Sequence, residues 1–169
     1  MATSARTRLR RILLRIGGID VDFIEDPYLQ VIADAGAPFV DTTIRITRGR
    51  PNECHRNAAI FWLKGKCAAI AVGYYLRPDD VWRQHSWGVM GDGTILDTQS
   101  AGRQYFGARV EFVEAMEFAE SHVSLTEVER LMKPNPERFR PVFEECFVLF
   151  RQRSDPNGCP RAHRCTPCP

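Results

Sequence analysis

Apolar residues near the start of the chain fall three and four positions apart. Leu9, Ile12, Leu13 and Ile16 form one stripe among arginines, which predicts a basic amphipathic helix over residues 1–18. "GGIDVDFIEDP" reads as a turn-rich connection, and "PYLQVIADAG" as a short helix with Pro27 in its first turn and Gly36 just past its end. "PFVDTTIRITRG" has β-branched alternation and a glycine stop, so a strand or extended approach is expected. From Glu53 the apolar positions become nearly continuous (Ala58, Ala59, Phe61, Trp62, Leu63), predicting a central buried helix that ends at "KGK". Then the pattern becomes that of strands: "CAAIAVGYYL" (67–76), "RQHSWGVM" (83–90) and "TILDTQ" (94–99), joined by "RPDD" and a "GDG" hairpin turn, with "ARVEFV" as a fourth. "EAMEFAESH" and "SLTEVERLM" return to helical spacing, with Ser124 and Glu127 in capping-box register. "PNPERFRPVFEECFVLFRQR" closes the pattern. The order predicts a single α+β domain over residues 1–153, followed by a Pro-, Cys- and Arg-rich tail, 154–169, expected to be disordered.

Composition narrows the class. The 169 residues are 44% hydrophobic and 26% charged, as in an ordinary globular protein with room for one full core. The formal net charge is +2, but Arg6, Arg8, Arg10, Arg11 and Arg15 all precede the first acidic residue, so the remainder is net negative. That balance argues against a nucleic-acid partner. No apolar run is long enough for a transmembrane segment, and the N-terminus lacks the apolar core of a secretory signal. The basic helix is read as docked on the domain, an organelle-targeting or membrane-surface role being the alternative. Six cysteines do not make a disulfide framework here; Cys67 and Cys146 lie in apolar surroundings as buried thiols, and a cytoplasmic location follows from that reading. In the tail, Cys159, His163, Cys165 and Cys168 are of zinc-binding type, yet only Cys165 and Cys168 have the close spacing of zinc motifs, so a disordered tail is expected, with a small zinc site as the alternative.

The candidate chemistry begins at "PNECHRNAAIFW". A nucleophilic cysteine must reach the thiolate form, and a helix N-terminus and a nearby imidazolium both favour it. Cys54 has the first at the start of the buried helix. His55 cannot supply the second, because adjacent helical side chains point about 100 degrees apart. His85 lies on the strand beside the helix, and Asp97 on the next strand across the "GDG" turn, within cross-strand reach. Cys54, His85 and Asp97 are therefore the candidate catalytic residues.

"NECHRNAAIF", "AVGYY", "RQHSWGV" and "DGTILDTQ" follow one another in the order seen in the transglutaminase-like, papain-like superfamily, which residues 50–100 of this chain resemble. Cys54, Gly73-Tyr74, His85-Ser86-Trp87 and Asp97-Thr98 match the family's cysteine, Gly-Tyr, His-Ser-Trp and Asp-Pro-Thr-like positions. Asn52 stands where the family often has glycine, the proline after the aspartate is absent, and no tryptophan precedes Cys54 to serve an oxyanion hole as in animal transglutaminases. The resemblance implies a papain-like core, a buried catalytic helix packed on a small antiparallel sheet. It also implies a cysteine peptidase or amidase needing no cofactor, with a peptide or protein as substrate. Its bacterial members include proteases, leader peptidases, deamidases and transamidating enzymes.

On this reading an acyl-thioester forms on Cys54, His85 acts as base and then acid, and Asp97 orients it. The oxyanion hole falls to the Cys54 backbone N–H and the Asn52 side chain. Trp87 either packs against the triad strand or binds substrate, and Tyr105 and Phe106 either line a substrate cleft or fill the core, the core being preferred. A deamidase or acyl transferase on the same residues, a non-catalytic binding module, and a metal protein using Cys54, His55 and His85 are the alternatives.

Overall fold

A computed structural model describes residues 4–99, 102–110 and 112–140. The chain divides into a unit of residues 1–135 and a second of residues 136–169. All elements named below belong to the first. Of the second, residues 136–140 are helical; Cys146, the Pro- and Cys-rich tail and its zinc-type side chains lie outside the described residues.

The basic helix, α1 (Ala5–Ile16), is capped by Ser4, whose side chain accepts the Thr7 N–H. Its apolar stripe is docked: Leu9 and Leu13 are fully buried, Arg8 pairs with Asp34 on α2 (Leu29–Ala35), and Trp82 Nε1 donates to the Gly17 carbonyl at 2.7 Å. Burying two leucines is worth about 1.5–3 kcal/mol each, which holds the helix down without any membrane surface. Between the helices lies β1 (Asp20–Asp22), a strand inside the stretch expected to be only a turn.

"PFVDTTIRITRG" is not one strand. It is cut into β2 (Ala37–Pro38) and β3 (Ile44–Ile46), which lie at opposite edges of the same sheet. Asp41, in left-handed backbone at φ 51°, lies between the two strands. The buried helix α3 (Cys54–Leu63) follows, and then the central strands β4 (Ala69–Leu76) and β5 (Val81–Val89). β6 (Ile95–Asp97) is shorter than its pattern, and for a local reason: the Asp97 carboxylate accepts the Thr98 and Gln99 N–H groups itself, at 2.5 and 3.0 Å, which turns the chain out of the strand. The fourth expected strand is β7 (Gln104–Val110), displaced toward the N-terminus of "ARVEFV", because Phe112 already opens α4 (Phe112–His122). In α5 (Leu125–Met132) the expected capping box is not made. Ser124 forms no side-chain cap, and Glu127 is drawn away to Arg56 on α3 at 2.6 Å.

The strand order is β2-β7-β4-β5-β6-β3, with β1 beside β5. The expectation of an antiparallel sheet holds for its centre, but β1 runs parallel to β5 and β3 parallel to β6. The fold is thus α+β on a mixed sheet. α3 packs on the sheet beside β5, and α4 and α5 pack on α3. The opposite face carries a cluster of Ala71, Tyr75, Trp87, Val89, Ile95 and Tyr105, with Phe39 and Ile44 against it. Gly107 is a close approach: a Cβ there would come within 2.9 Å of the Trp87 ring. Among the described residues no helix is long and apolar enough to cross a membrane.

Candidate active site

A strand has two edges, and one edge of β5 is fully occupied by β4, from Trp82 to Val89. The other is shared. β1 covers it as far as Arg83, and β6 takes it up again at Gly88. Between the two, Gln84 and Ser86 have no strand partner on this edge, which leaves a notch in it. On this same edge the Met90 N–H bonds to Thr94 O at 2.9 Å, so two-residue alternation turns the Ser86 N–H into the notch. The N-terminus of α3 fills it. The His85 side chain and the backbone N–H groups of Ser86 and His55 are the groups that act on the Cys54 sulfur.

His85 is 2% exposed and Asp97 1% exposed. Both project from the face opposite α3, and extending the β5–β6 register sets Asp97 across from Trp87, diagonal to His85. The diagonal is short enough: His85 Nε2 lies 2.8 and 2.9 Å from the two Asp97 oxygens. With Nε2 taken by the carboxylate, Nδ1 is left for the sulfur.

Two residues that the sequence reading did not assign to the site hold it in shape. The Tyr105 hydroxyl donates to Asp97 Oδ2 at 2.7 Å and itself accepts the Gly102 N–H at 3.1 Å. Tyr105 is buried, as expected, but its polar end is spent on the carboxylate that faces His85. Asn57, one turn into α3, grips the approach loop: its Nδ2 donates to Arg50 O at 2.7 Å and to Thr98 Oγ1 at 3.2 Å, and its Oδ1 accepts the Arg50 N–H at 3.0 Å. One side chain thereby ties the cysteine helix, its preceding loop and the end of the aspartate strand together. The loop must pass close by; a Cβ on Gly49 would fall 2.7 Å from Asn57 Nδ2 and 2.6 Å from Thr98 Cγ2. A lone buried-face asparagine and a tyrosine before a glycine carry no sequence signal of these roles.

The electrostatics follow from this packing. Burial alone would push the Cys54 thiol up, but the hydrogen bond and charge of His85 and the two backbone N–H groups outweigh it, and the thiol lies below its ordinary value. Burial opposes a charge on His85 as well; Asp97 and Cys54 overcome it and raise His85 to about 9. Burial pushes Asp97 up, and His85, Gln99 and Tyr105 bring it below the ordinary carboxylate value. The arrangement favours a thiolate beside an imidazolium.

The remaining candidates lie as follows. His55 is turned to the other face of β5, where Nδ1 shares a 2.7 Å hydrogen bond with Ser86 Oγ and the ring lies 5.0 Å from that of His122. Burial and His122 lower it to about 4, so it is neutral and supplies no second cation. Among the described residues no group of three or more metal-ligating side chains forms, and the combination of Cys54, His55 and His85 is not assembled as a metal site. Asn52 is exposed and in left-handed backbone at φ 58°, two residues before the sulfur. Trp87 is 1% exposed and stacks on the His85 ring at 6.0 Å between centroids, inside the apolar cluster. A groove of about 580 Å³ runs under β3, lined by Phe39, Val40, Thr42, Ile44, Ile95 and Tyr105 among others, and does not include Cys54. No family model, curated protein or solved structure matches this chain.

Proposed function

We propose that the protein is a cysteine hydrolase of transglutaminase-like type, cleaving a peptide or other amide bond. The observation that carries this is the meeting of Cys54, His85 and Asp97 in the gap along β5, with the sulfur at a helix start and the imidazole clamped by a buried carboxylate. The Cys54 thiolate attacks the amide carbonyl carbon; a C–S bond forms and the carbonyl electron pair moves to oxygen. The Cys54 N–H and the Asn52 side chain are the donors assigned to that oxyanion. As the pair returns, the C–N bond breaks and His85 passes its proton to the leaving amine. Neutral His85 then takes a proton from water, the hydroxide attacks the thioester, and the acid and the Cys54 thiolate are released with His85 protonated once more. Asp97 keeps Nδ1 toward the sulfur throughout and stabilises the imidazolium.

The test needs no substrate. On brief iodoacetamide treatment at mildly acidic pH, mass spectrometry should find Cys54 modified before any of the other five cysteines, and His85→Gln should abolish the preference. Modification of other cysteines with Cys54 inert would refute the reading.

A further inference from the structure

The backbone that joins Asp97's neighbour strand to Cys54 carries an unbalanced charge. "TTIRITRGRPN", residues 42–52, holds Arg45, Arg48 and Arg50 and no carboxylate. All three are exposed. Arg50 has Glu53 at 3.7 Å, a carboxylate shared with Arg56 at the same distance, and among the described residues Arg45 and Arg48 have no ion pair. A charge on an edge strand often serves only to keep other strands away. Arg45, in mid-strand, suits that role, but Arg48 and Arg50 lie beyond the strand. Their backbone is fastened at both ends by the site itself: Thr47 N–H bonds Asp97 O at 2.8 Å, and Asn57 holds Arg50.

The same segment offers a peptide a place to lie. β3 ends the sheet, and its pairing with β6 uses Thr43 O and Thr47 N. In a parallel ladder those bonds assign residues 43, 45 and 47 to β6, so Ile44 and Ile46 turn their N–H and C=O groups to the uncovered side. Ile46 is 49% exposed there. We propose that the substrate is an acidic peptide, bound in extended form along the free edge of β3, with its carboxylates against Arg45, Arg48 and Arg50. The proposal rests on Cys54 as nucleophile. Main-chain bonds to Ile44 and Ile46 supply sequence-independent binding, and the arginines select for negative charge.

Three peptide chloromethyl ketones of equal length, rich in Glu, Gln or Lys, would be offered to the full-length protein. Each Cys54 labelling rate is read as a ratio to the iodoacetamide rate of the same protein. The Glu probe should exceed the Gln probe by about tenfold and the Lys probe by more, and the spread should shrink at about 0.5 M salt. Arg45→Gln, Arg48→Gln and Arg50→Gln together should bring the three ratios close to one another. Ile46→Pro, which removes an outward N–H and no bond to β6, should lower all three ratios; should that variant misfold, the arginine variant decides. Equal ratios for the three probes, or a preference unchanged in the arginine variant, would overturn the acidic-peptide proposal while leaving Cys54 a nucleophile. A Cys54 inert to iodoacetamide would overturn both.

Discussion

Changing Asp97 to Asn keeps the size of the side chain and withdraws its charge. In the native site His85 is raised from the ordinary 6.5 to about 9 against the pull of burial. At 1.36 kcal/mol per unit that interval is about 3 kcal/mol, supplied first by Asp97 and then by Cys54. Without the carboxylate, burial dominates and His85 becomes neutral near pH 7, so the population of the thiolate-imidazolium pair should fall on the order of 10²-fold. Serine triads lose about 10⁴ in turnover on the equivalent change. The loss here is smaller because the pair already exists before substrate arrives and the helix start and backbone N–H groups still favour the thiolate. The assay is the iodoacetamide rate at Cys54 followed from about pH 5 to 9. Wild type should stay reactive well below the ordinary thiol value of about 8.5, and Asp97→Asn should need a higher pH. Asp92→Asn is the control, since the Asp92 carboxylate serves the β5–β6 turn, where it accepts the Thr94 N–H at 2.9 Å. Profiles for Asp97→Asn and Asp92→Asn that superpose on wild type would refute the role of the carboxylate.

Tyr105→Phe removes one donor to Asp97 and leaves the Gly102 N–H without its acceptor. Alkylation of Cys54 should slow several-fold with its pH profile shifted upward, and an unshifted profile would make Tyr105 a packing residue alone. Stability should also report the pair through its pH dependence. His85, raised, contributes stability that is full below about 6.5 and lost as pH rises through about 9; Cys54, lowered, contributes the reverse, present above about 8.5 and lost on acidification. Where both groups titrate the two slopes have opposite sign, so the difference in unfolding free energy between wild type and a Cys54→Ala, His85→Gln double variant should be nearly flat just below about pH 8.5 and fall as pH rises from there through about 9; a difference that keeps rising through about pH 9 would contradict the raised His85. Leu13→Ala should cost about 2–5 kcal/mol in chemical denaturation because the side chain is fully buried under α1, while Cys54 keeps its alkylation rate in the folded protein. A slowed rate in that variant would show that α1 shapes the site.

Periodicity alone carried the amphipathic α1, the apolar α3 and the paired β4 and β5, because each buries a face whose spacing is local. The choice of Cys54, His85 and Asp97 as candidates was legible as well, from the chemistry a cysteine nucleophile requires and from the "GDG" turn, which sets the register between two of them. Three features were decided only in three dimensions. "PFVDTTIRITRG" reads as one strand but is divided between opposite edges of the sheet, because the pairing partners of Ala37–Pro38 and Ile44–Ile46 lie far away in sequence. β1 hides in a turn-rich stretch because a three-residue parallel strand draws its bonds from Val81–Arg83, not from its own pattern. And the notch that admits the sulfur exists only because β1 and β6 each cover part of one edge of β5, an arrangement of long-range hydrogen bonds that leaves no trace in the residues it exposes. Tyr105 and Asn57 belong to the same class: apolar spacing placed both in buried elements, and only the folded chain shows what their polar atoms hold.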